Sequence, residues 1–125
     1  MLKKRLIASI FIRDGIAVQS IGFRKYLPVG RPEIAAEAFN MWGVDEIMLI
    51  DISAGLKGNL IDIPMVERVA RACSVPLTVG GGITCASDMG RLLSAGADKV
   101  SVNHANLNHT KCLEEGRAKF GRQCM

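Results

Sequence analysis

Four apolar stretches recur along the chain, separated by segments whose apolar positions repeat at helical spacing. A short continuous apolar run is typical of a strand buried on both faces of a sheet. The predicted strands are Leu6–Ile12, Glu46–Ile52, Pro76–Val79 and Asp98–Asn103. The predicted helices start at Arg31-Pro32, Asp62, Ser87 and Thr110, and they end at Gly43, Cys73, Ala95 and Lys119. Strand and helix thus alternate four times, which predicts a parallel α/β sheet in a single domain, residues 1–125.

The segment between the first strand and the first helix breaks this alternation. Arg13-Asp14-Gly15 indicates a turn, Ile16–Phe23 a small hairpin or flap, and Arg24–Gly30 a loop. Elsewhere, polar residues and glycines collect where the strands end. They are Asp51, Ser53, Gly80, Gly81, Gly82, Ser101 and Asn103. Ligands of parallel α/β sheets bind at this carboxyl edge.

The most informative stretch is Thr78–Thr84, in which three consecutive glycines connect a strand to a helix. Glycine permits backbone conformations closed to other residues, and a turn before a helix presents free N–H groups to an anion. The alternative is a plain strand-to-helix turn. We favour a phosphate site because three glycines in a row exceed what such a turn requires.

Composition narrows the function classes. The chain is 49% apolar and 22% charged, with a net charge of +4, which is typical of a soluble globular protein without a nucleic-acid surface. No apolar run is long enough for a membrane span, and the run after Lys3-Lys4-Arg5 is too short for a signal peptide. We therefore expect a cytoplasmic protein. The four cysteines are spread out, so we expect free thiols, no metal and no cofactor.

Six motifs, in order and in register, carry a family resemblance. They are the opening MLKKRLI, Asp14-Gly15, the GxPE of Gly30–Glu33, DEIMLIDIS from Asp45, PLTVGGGI from Pro76, and AGADKVSVN from Ala95. Together they resemble the N-terminal half of the cyclase subunit of imidazole glycerol phosphate synthase, a (βα)8-barrel. The resemblance implies a (βα)4 half of a TIM-type barrel, in which each parallel strand is followed by a helix.

The resemblance also implies where a ligand would lie. One phosphate site of the family maps to Gly81, Gly82 and Asn103, with His104 where the family usually has Thr. Gly80 and Ser101 flank these positions. Asp51 and Ser53 match substrate-contacting positions, with Ser53 in place of Thr.

Three departures from the family put its chemistry in doubt. Phe11 occupies the position of the first catalytic aspartate, Gln19 replaces a substrate-contacting lysine, and Ser9 replaces a cysteine. An aromatic ring cannot act as a general acid or base. We therefore expect a phosphate- or phosphosugar-binding half-barrel without cyclase activity. The alternative is an altered lyase-type enzyme that uses Asp51 with Asp14, His104 or Ser101.

At the opposite end of the family barrel lies an ammonia gate that faces a glutaminase partner. Arg5, Glu46 and Lys99 match gate residues, and Asp98 matches a partner-facing acid. The resemblance therefore implies an accessory role with a glutaminase subunit as a further alternative. A simpler interpretation is a salt-bridge layer that fills the barrel floor, and we favour it slightly.

A half-barrel has two bare strand edges and an uncovered concave face. We predict that the inward layer contains Ile10, Phe11, Met48, Ile50 and Val100. Burial of this layer predicts self-association into a homodimer or a dimer of dimers that completes an eight-stranded barrel. Such a dimer would place two identical phosphate sites at one barrel mouth.

Overall fold

The computed structural model describes residues 2–103 and 110–125 and shows an α/β fold with one central sheet. Its strands are β1 (Ile7–Arg13), β2 (Ile16–Ile21), β3 (Lys25–Gly30), β4 (Glu46–Asp51), β5 (Leu77–Gly80) and β6 (Lys99–Ser101). Its α-helices are α1 (Pro32–Met41), α2 (Ile63–Ala72), α3 (Ala86–Ser94) and α4 (Lys111–Phe120). Short 3₁₀ turns cover Gly55–Lys57 and Arg122–Cys124. No helix in this part of the chain is long and apolar enough to cross a membrane.

The sheet order in the described residues is β3-β2-β1-β4-β5-β6. The four strands β1, β4, β5 and β6 are parallel neighbours and alternate with α1, α2 and α3. The predicted α/β class and its parallel strand–helix repeat are confirmed, and the arrangement fits half of a TIM-type barrel. Helices cover one face of the sheet, and the other face is open.

The segment predicted as a loop, Arg24–Gly30, is instead mostly strand β3, so that prediction was wrong. Asp14 and Gly15 form a two-residue turn at positive φ, 51° and 82°, which suits the twist of the β1–β2 hairpin. A second tight turn at Gly22 and Phe23 starts β3, which pairs antiparallel with β2. Pro28 lacks an N–H and disfavours a strand interior, but β3 is the outermost strand of the described sheet, where a missing N–H is tolerated.

The core lies between the sheet and the helices. Its fully buried strand residues include Ile12, Ile47, Leu49, Leu77 and Val79. Ile10 and Val100 are 3% and 2% exposed and belong to the same core. They were predicted to face inward to the barrel, but the alternation of side chains along a strand places them with Ile12 and Val79, under the helices. Phe11, Met48 and Ile50 have the opposite parity and line the open face, as predicted.

Two aspartates fix the strand register at the amino ends of the strands. Asp45 accepts the N–H of Leu6 at 2.7 Å and donates its own N–H to the Leu6 carbonyl at 2.9 Å. Asp98 makes the same pair of bonds with Leu77, both at 2.8 Å. Each aspartate therefore ties the start of one strand to the start of the parallel strand beside it.

Replacement of Asp98 by Ala tests this register device. Leu77 is 1% exposed, so loss of the carboxylate leaves its N–H without a partner. We expect the free energy of unfolding in urea to fall by about 1–3 kcal/mol. Asp98→Asn keeps an acceptor oxygen and should lose less. Glu37→Ala, at an exposed helical position, is the control; equal losses in Asp98→Ala and Glu37→Ala would contradict the role of Asp98.

Candidate functional site

The candidate site is a cavity at the carboxyl ends of β4, β5 and β6. The parallel register aligns Ile50 with Gly80 and Gly80 with Ser101, so these strand ends meet at one edge. The cavity has a volume of about 390 Å³. Its lining includes the predicted site residues Asp51, Gly80, Gly81, Gly82, Ser101 and Asn103. The structure therefore brings these residues together, whereas His104 lies outside the described residues.

Each glycine of the run is required by the packing of the protein itself. A Cβ on Gly80 would lie 2.8 Å from the carbonyl oxygen of Ser101, and one on Gly81 would lie 2.8 Å from the Asp51 Cβ. A Cβ on Gly82 would overlap the carbonyl oxygen of Asn59. Gly81 and Gly82 also have positive φ, 135° and 72°. The argument that three glycines exceed the needs of a turn was therefore wrong, because close chain packing explains all three.

Backbone donors at this turn provide a different argument for an anion site. The N–H groups of Gly81, Gly82 and Ile83 donate to no acceptor within residues 2–103 and 110–125. All three residues line the cavity. Consecutive backbone N–H groups at a glycine turn form a concavity that suits an anion. The hydroxyl of Ser101 and the amide of Asn103 add neutral donors to the same cavity.

The start of α3 is already occupied by a carboxylate. Asp88 accepts the N–H and the hydroxyl of Thr84, both at 3.0 Å. Partial burial opposes ionisation of Asp88, but these hydrogen bonds prevail and lower its pKa. The negative charge of Asp88 in the first turn of α3 already complements the helix dipole, so the dipole adds little to the argument for an anion at this turn.

Asp51 has a structural role at the end of β4. Its Oδ1 accepts the N–H of Ser53 at 2.8 Å, the Ser53 hydroxyl at 2.8 Å and the N–H of Ala54 at 3.0 Å. The Ser53 hydroxyl in turn accepts the N–H of Asp14 at 3.1 Å. Three bonds on one oxygen hold the loop that leads into the 3₁₀ turn. This geometry favours loop fixation by Asp51 and Ser53, and their predicted contacts with substrate stay predictions.

Asp14 lies at the exposed β1–β2 turn and forms an ion pair with Lys57. The hydrogen bond from Lys57 is the main cause that lowers the pKa of this carboxyl. Asp14 does not line the cavity, although its N–H bonds the Ser53 hydroxyl that donates to Asp51. Its carboxylate is engaged by Lys57, and a role beside Asp51 as a second acid stays a prediction. Lys57 links the hairpin turn to the 3₁₀ turn beside the cavity.

At the other end of the sheet, Arg5 Nη1 contacts Glu46 Oε1 at 2.7 Å. Glu46 is 8% exposed, so this pair satisfies a charge that burial would otherwise destabilise. Asp98, predicted to face a partner, uses its carboxylate to bind the N–H of Leu77. Lys99 lies on the open face of β6. These contacts fit the salt-bridge interpretation, and gate function stays a prediction.

Some contributors to the site were missed by the sequence analysis. Thr84, Asn59, Gly55 and Gly58 also line the cavity, the last three from the loop after β4. This loop contains two glycines within four residues, a pattern that could have indicated its approach to the site. Within the described residues, no group of three or more His, Cys, Asp or Glu side chains could hold a metal ion.

The chain matches the family model described as "Histidine biosynthesis protein" over residues 5–125. It belongs to the histidine biosynthesis protein family. Over all 125 residues it is 45% identical to the imidazole glycerol phosphate synthase subunit HisF of Bacillus cereus strain G9842. It is 43% identical to the proteins of the same name from strains AH187 and Q1. These matches confirm the resemblance seen in the motifs.

The match within the histidine biosynthesis protein family is complete for this chain but partial for its relatives. All 125 residues align, and they cover 50% of each HisF protein. The chain thus spans about half the length of the curated relatives it matches. The shared half contains the strand ends and the glycine turn that form the cavity.

Replacement of Gly82 by Ala tests the packing at the glycine turn. The new Cβ would overlap the Asn59 carbonyl and require an L residue at φ 72°. We expect the free energy of unfolding to fall by about 3 kcal/mol or more, measured by urea denaturation. Gly55→Ala is the matched control in the same cavity, because nothing lies within 4 Å of its Cβ. A Gly82→Ala protein as stable as Gly55→Ala would refute the packing constraint.

Proposed function

We propose that this chain is a phosphate- or phosphosugar-binding half-barrel of the histidine biosynthesis family. The observation that carries the proposal is the set of three consecutive N–H groups, at Gly81, Gly82 and Ile83, that have no acceptor among the described residues and lie on the wall of a cavity. An anion that accepts these bonds gains charge-assisted hydrogen bonds, which are stronger than neutral ones.

The size of the cavity favours a phosphorylated small molecule over phosphate alone. A volume of about 390 Å³ lies within the range of small-molecule sites. The phosphate group would bind at the glycine turn and at Ser101 and Asn103. The hydroxyl groups of a sugar would then lie towards Asp51 and Asn59. Because the described lining contains no Lys or Arg, we expect modest affinity, with a Kd for inorganic phosphate of roughly 1 mM.

Loss of cyclase activity is the second part of this proposal. Phe11 provides a ring where the family carries its first catalytic acid, and it lies on the open face rather than at the cavity. Asp51, the one carboxylate of the described lining, already accepts three hydrogen bonds on one oxygen. An altered phosphosugar lyase would have to use the remaining Oδ2 of Asp51 as its acid or base.

A glutaminase-binding role is supported less directly. The relatives are named as subunits, and Arg5, Glu46 and Lys99 each lie near the amino end of a strand. Arg5 and Glu46 pair with each other, which explains these two residues without a second protein. We therefore place phosphate binding first, and cytoplasmic location and the single-domain organisation accompany it as predictions.

Calorimetric titration with inorganic phosphate and with ribose 5-phosphate tests the binding site. Wild-type protein should bind both, and unphosphorylated ribose should produce no heat. Asn103→Ala and Ser101→Ala should each weaken binding about tenfold, since each removes a hydrogen bond to a charged group. Ser94→Ala, on the exposed end of α3, should bind as wild type. Absence of heat in every titration, or equal affinity in all variants, would contradict the site.

An ammonia-dependent cyclase assay tests the loss of activity. The chain alone should release no more product than buffer, because Phe11 cannot transfer a proton. A full-length HisF relative provides the positive control. Product above the buffer level that disappears in Asp51→Asn would support the enzyme alternative instead.

A further inference from the structure

We propose that the flank formed by β1 and α1 binds the β6–α4 end of a second copy of this chain, so that two copies close one barrel. The β1–α1 flank is defined by the strand edge Ile7–Ile10, by Ile34, Ala38 and Met41 of α1, and by Trp42, which follows α1 directly. The proposal deepens the predicted self-association and does not depend on phosphate binding, because the cavity is built within one chain.

The strand part of this flank is a free edge of limited length. β1 pairs with β4 along Ile7–Ile12, but β2 covers its other side only at Phe11–Arg13. The carbonyls of Leu6 and Ile12 accept hydrogen bonds from residues on the β4 side. Backbone N–H and C=O groups of successive residues in a strand point to opposite sides, so those of Ile7 and Ser9 point to the free edge. The segment Ile7–Ile10 therefore has no strand paired to this side within the described residues.

The helix part of the flank is apolar, whereas the opposite side of α1 is polar. On the side that faces α2, Asn40 bonds the Ala72 carbonyl and Glu33 lies 3.6 Å from Arg68 Nε. On the other side, Ile34, Met41 and Trp42 are 56%, 85% and 73% exposed. Ile34, Ala38 and Trp42 are spaced by four residues and share one face. An apolar helix face that no other described element covers indicates a docking surface.

Between these two parts lies a cavity of about 430 Å³. Ser9 and Ser20 line it from the strands, and Phe39 and Trp42 line it from α1. The Ser20 hydroxyl is buried and has no hydrogen-bond partner among the described residues. A strand and helix added here would fill the cavity and provide partners for the free backbone groups.

The chain carries a complementary surface at its other end. β6 spans three residues, Lys99–Ser101, and has no strand on its outer side in the described part of the chain. The N–H of Asp98 donates to the Leu77 carbonyl at the start of β5. Because backbone groups alternate along a strand, the N–H groups of Lys99 and Ser101 point to the side of β6 away from β5. The helices pack in chain order, which leaves α4 with α3 on one side. A three-residue strand with its helix fits the four-residue edge beside α1.

Surface area supports two such contacts per copy. A compact monomer of 13.5 kDa exposes about 6,500 Å². This chain exposes 8080 Å². The excess of about 1,500 Å² is close to twice the roughly 800 Å² that one partner buries in a standard interface. A ring of two copies has two identical contacts, eight parallel strands, and the length of the full relatives.

Light scattering over a dilution series tests the proposal. Wild type should have twice the 13.5 kDa monomer mass. Trp42→Lys should raise the dimer dissociation constant by roughly 30-fold for each of the two contacts. Leu56→Lys, at an apolar residue that is 91% exposed and lines the candidate site rather than the cavity of this flank, is the control for dimerisation and should stay dimeric. A wild-type monomer, or a Trp42→Lys dimer as tight as Leu56→Lys, would overturn the proposal.

A mixing experiment tests the head-to-tail geometry. Ser9→Pro removes an N–H at the free edge of β1, and Lys99→Pro removes one at the outer edge of β6, so each variant alone should be monomeric. In a mixture, β6 of the Ser9→Pro protein can pair with β1 of the Lys99→Pro protein. Neither of these strand edges carries a substitution, so the mixture should partly recover the dimer. Failure to recover, with both variants folded by circular dichroism, would overturn the geometry. Phosphate titration separates the two proposals. A monomeric Trp42→Lys protein that still binds phosphate would show that the site does not need the dimer. A wild-type dimer that binds no phosphate would contradict the phosphate site and leave the dimer proposal intact.

Discussion

The reciprocal hydrogen bonds of Asp45 with Leu6 and of Asp98 with Leu77 set the register on which the candidate site depends. Parallel strands lack a tight turn that would align them, so their register has to be fixed at the strand ends or by side-chain packing. With the amino ends tied, Ile50, Gly80 and Ser101 reach the carboxyl edge at one level. A slip by one residue would turn Gly80 away from the cavity and bring a side chain into the space beside Ser101.

The glycine turn shows how a structural and a functional requirement can coincide. Gly82 passes so close to the Asn59 carbonyl that no side chain fits, and Gly81 crosses the end of β4 at Asp51. The same close approach leaves N–H groups without protein acceptors at the cavity wall. The sequence analysis selected this stretch as an anion site for a reason that the packing replaces, and anion binding there stays a prediction. The free N–H groups, which only the structure reveals, are the stronger support for an anion.

The sequence predicted most of the fold because strong patterns control it. Continuous apolar runs and helix signals located the parallel strands and the four α-helices of the described residues, with ends shifted by at most two residues. β3 was missed because Pro28 is a negative signal that an outermost strand tolerates. Ile10 and Val100 were assigned to the wrong face because an apolar run without alternation does not show which residues face the helices. The bonds of Asp51 to Ser53 and Ala54 depend on loop geometry that no local pattern specifies.

The proposed ligand site and the proposed barrel closure use overlapping parts of one sheet, since Ile50 of the open face also lines the cavity. The cavity wall is contributed by β4, β5, β6 and the loop after β4, all within one chain, so the proposed phosphate site does not require a second copy. The open face presents Phe11, Met48 and Ile50, for which burial is favourable but which carry no donors or charges. Phe11, at the position of the family's acid, therefore links the two proposals: its ring cannot transfer a proton, and its apolar surface would favour closure of the barrel.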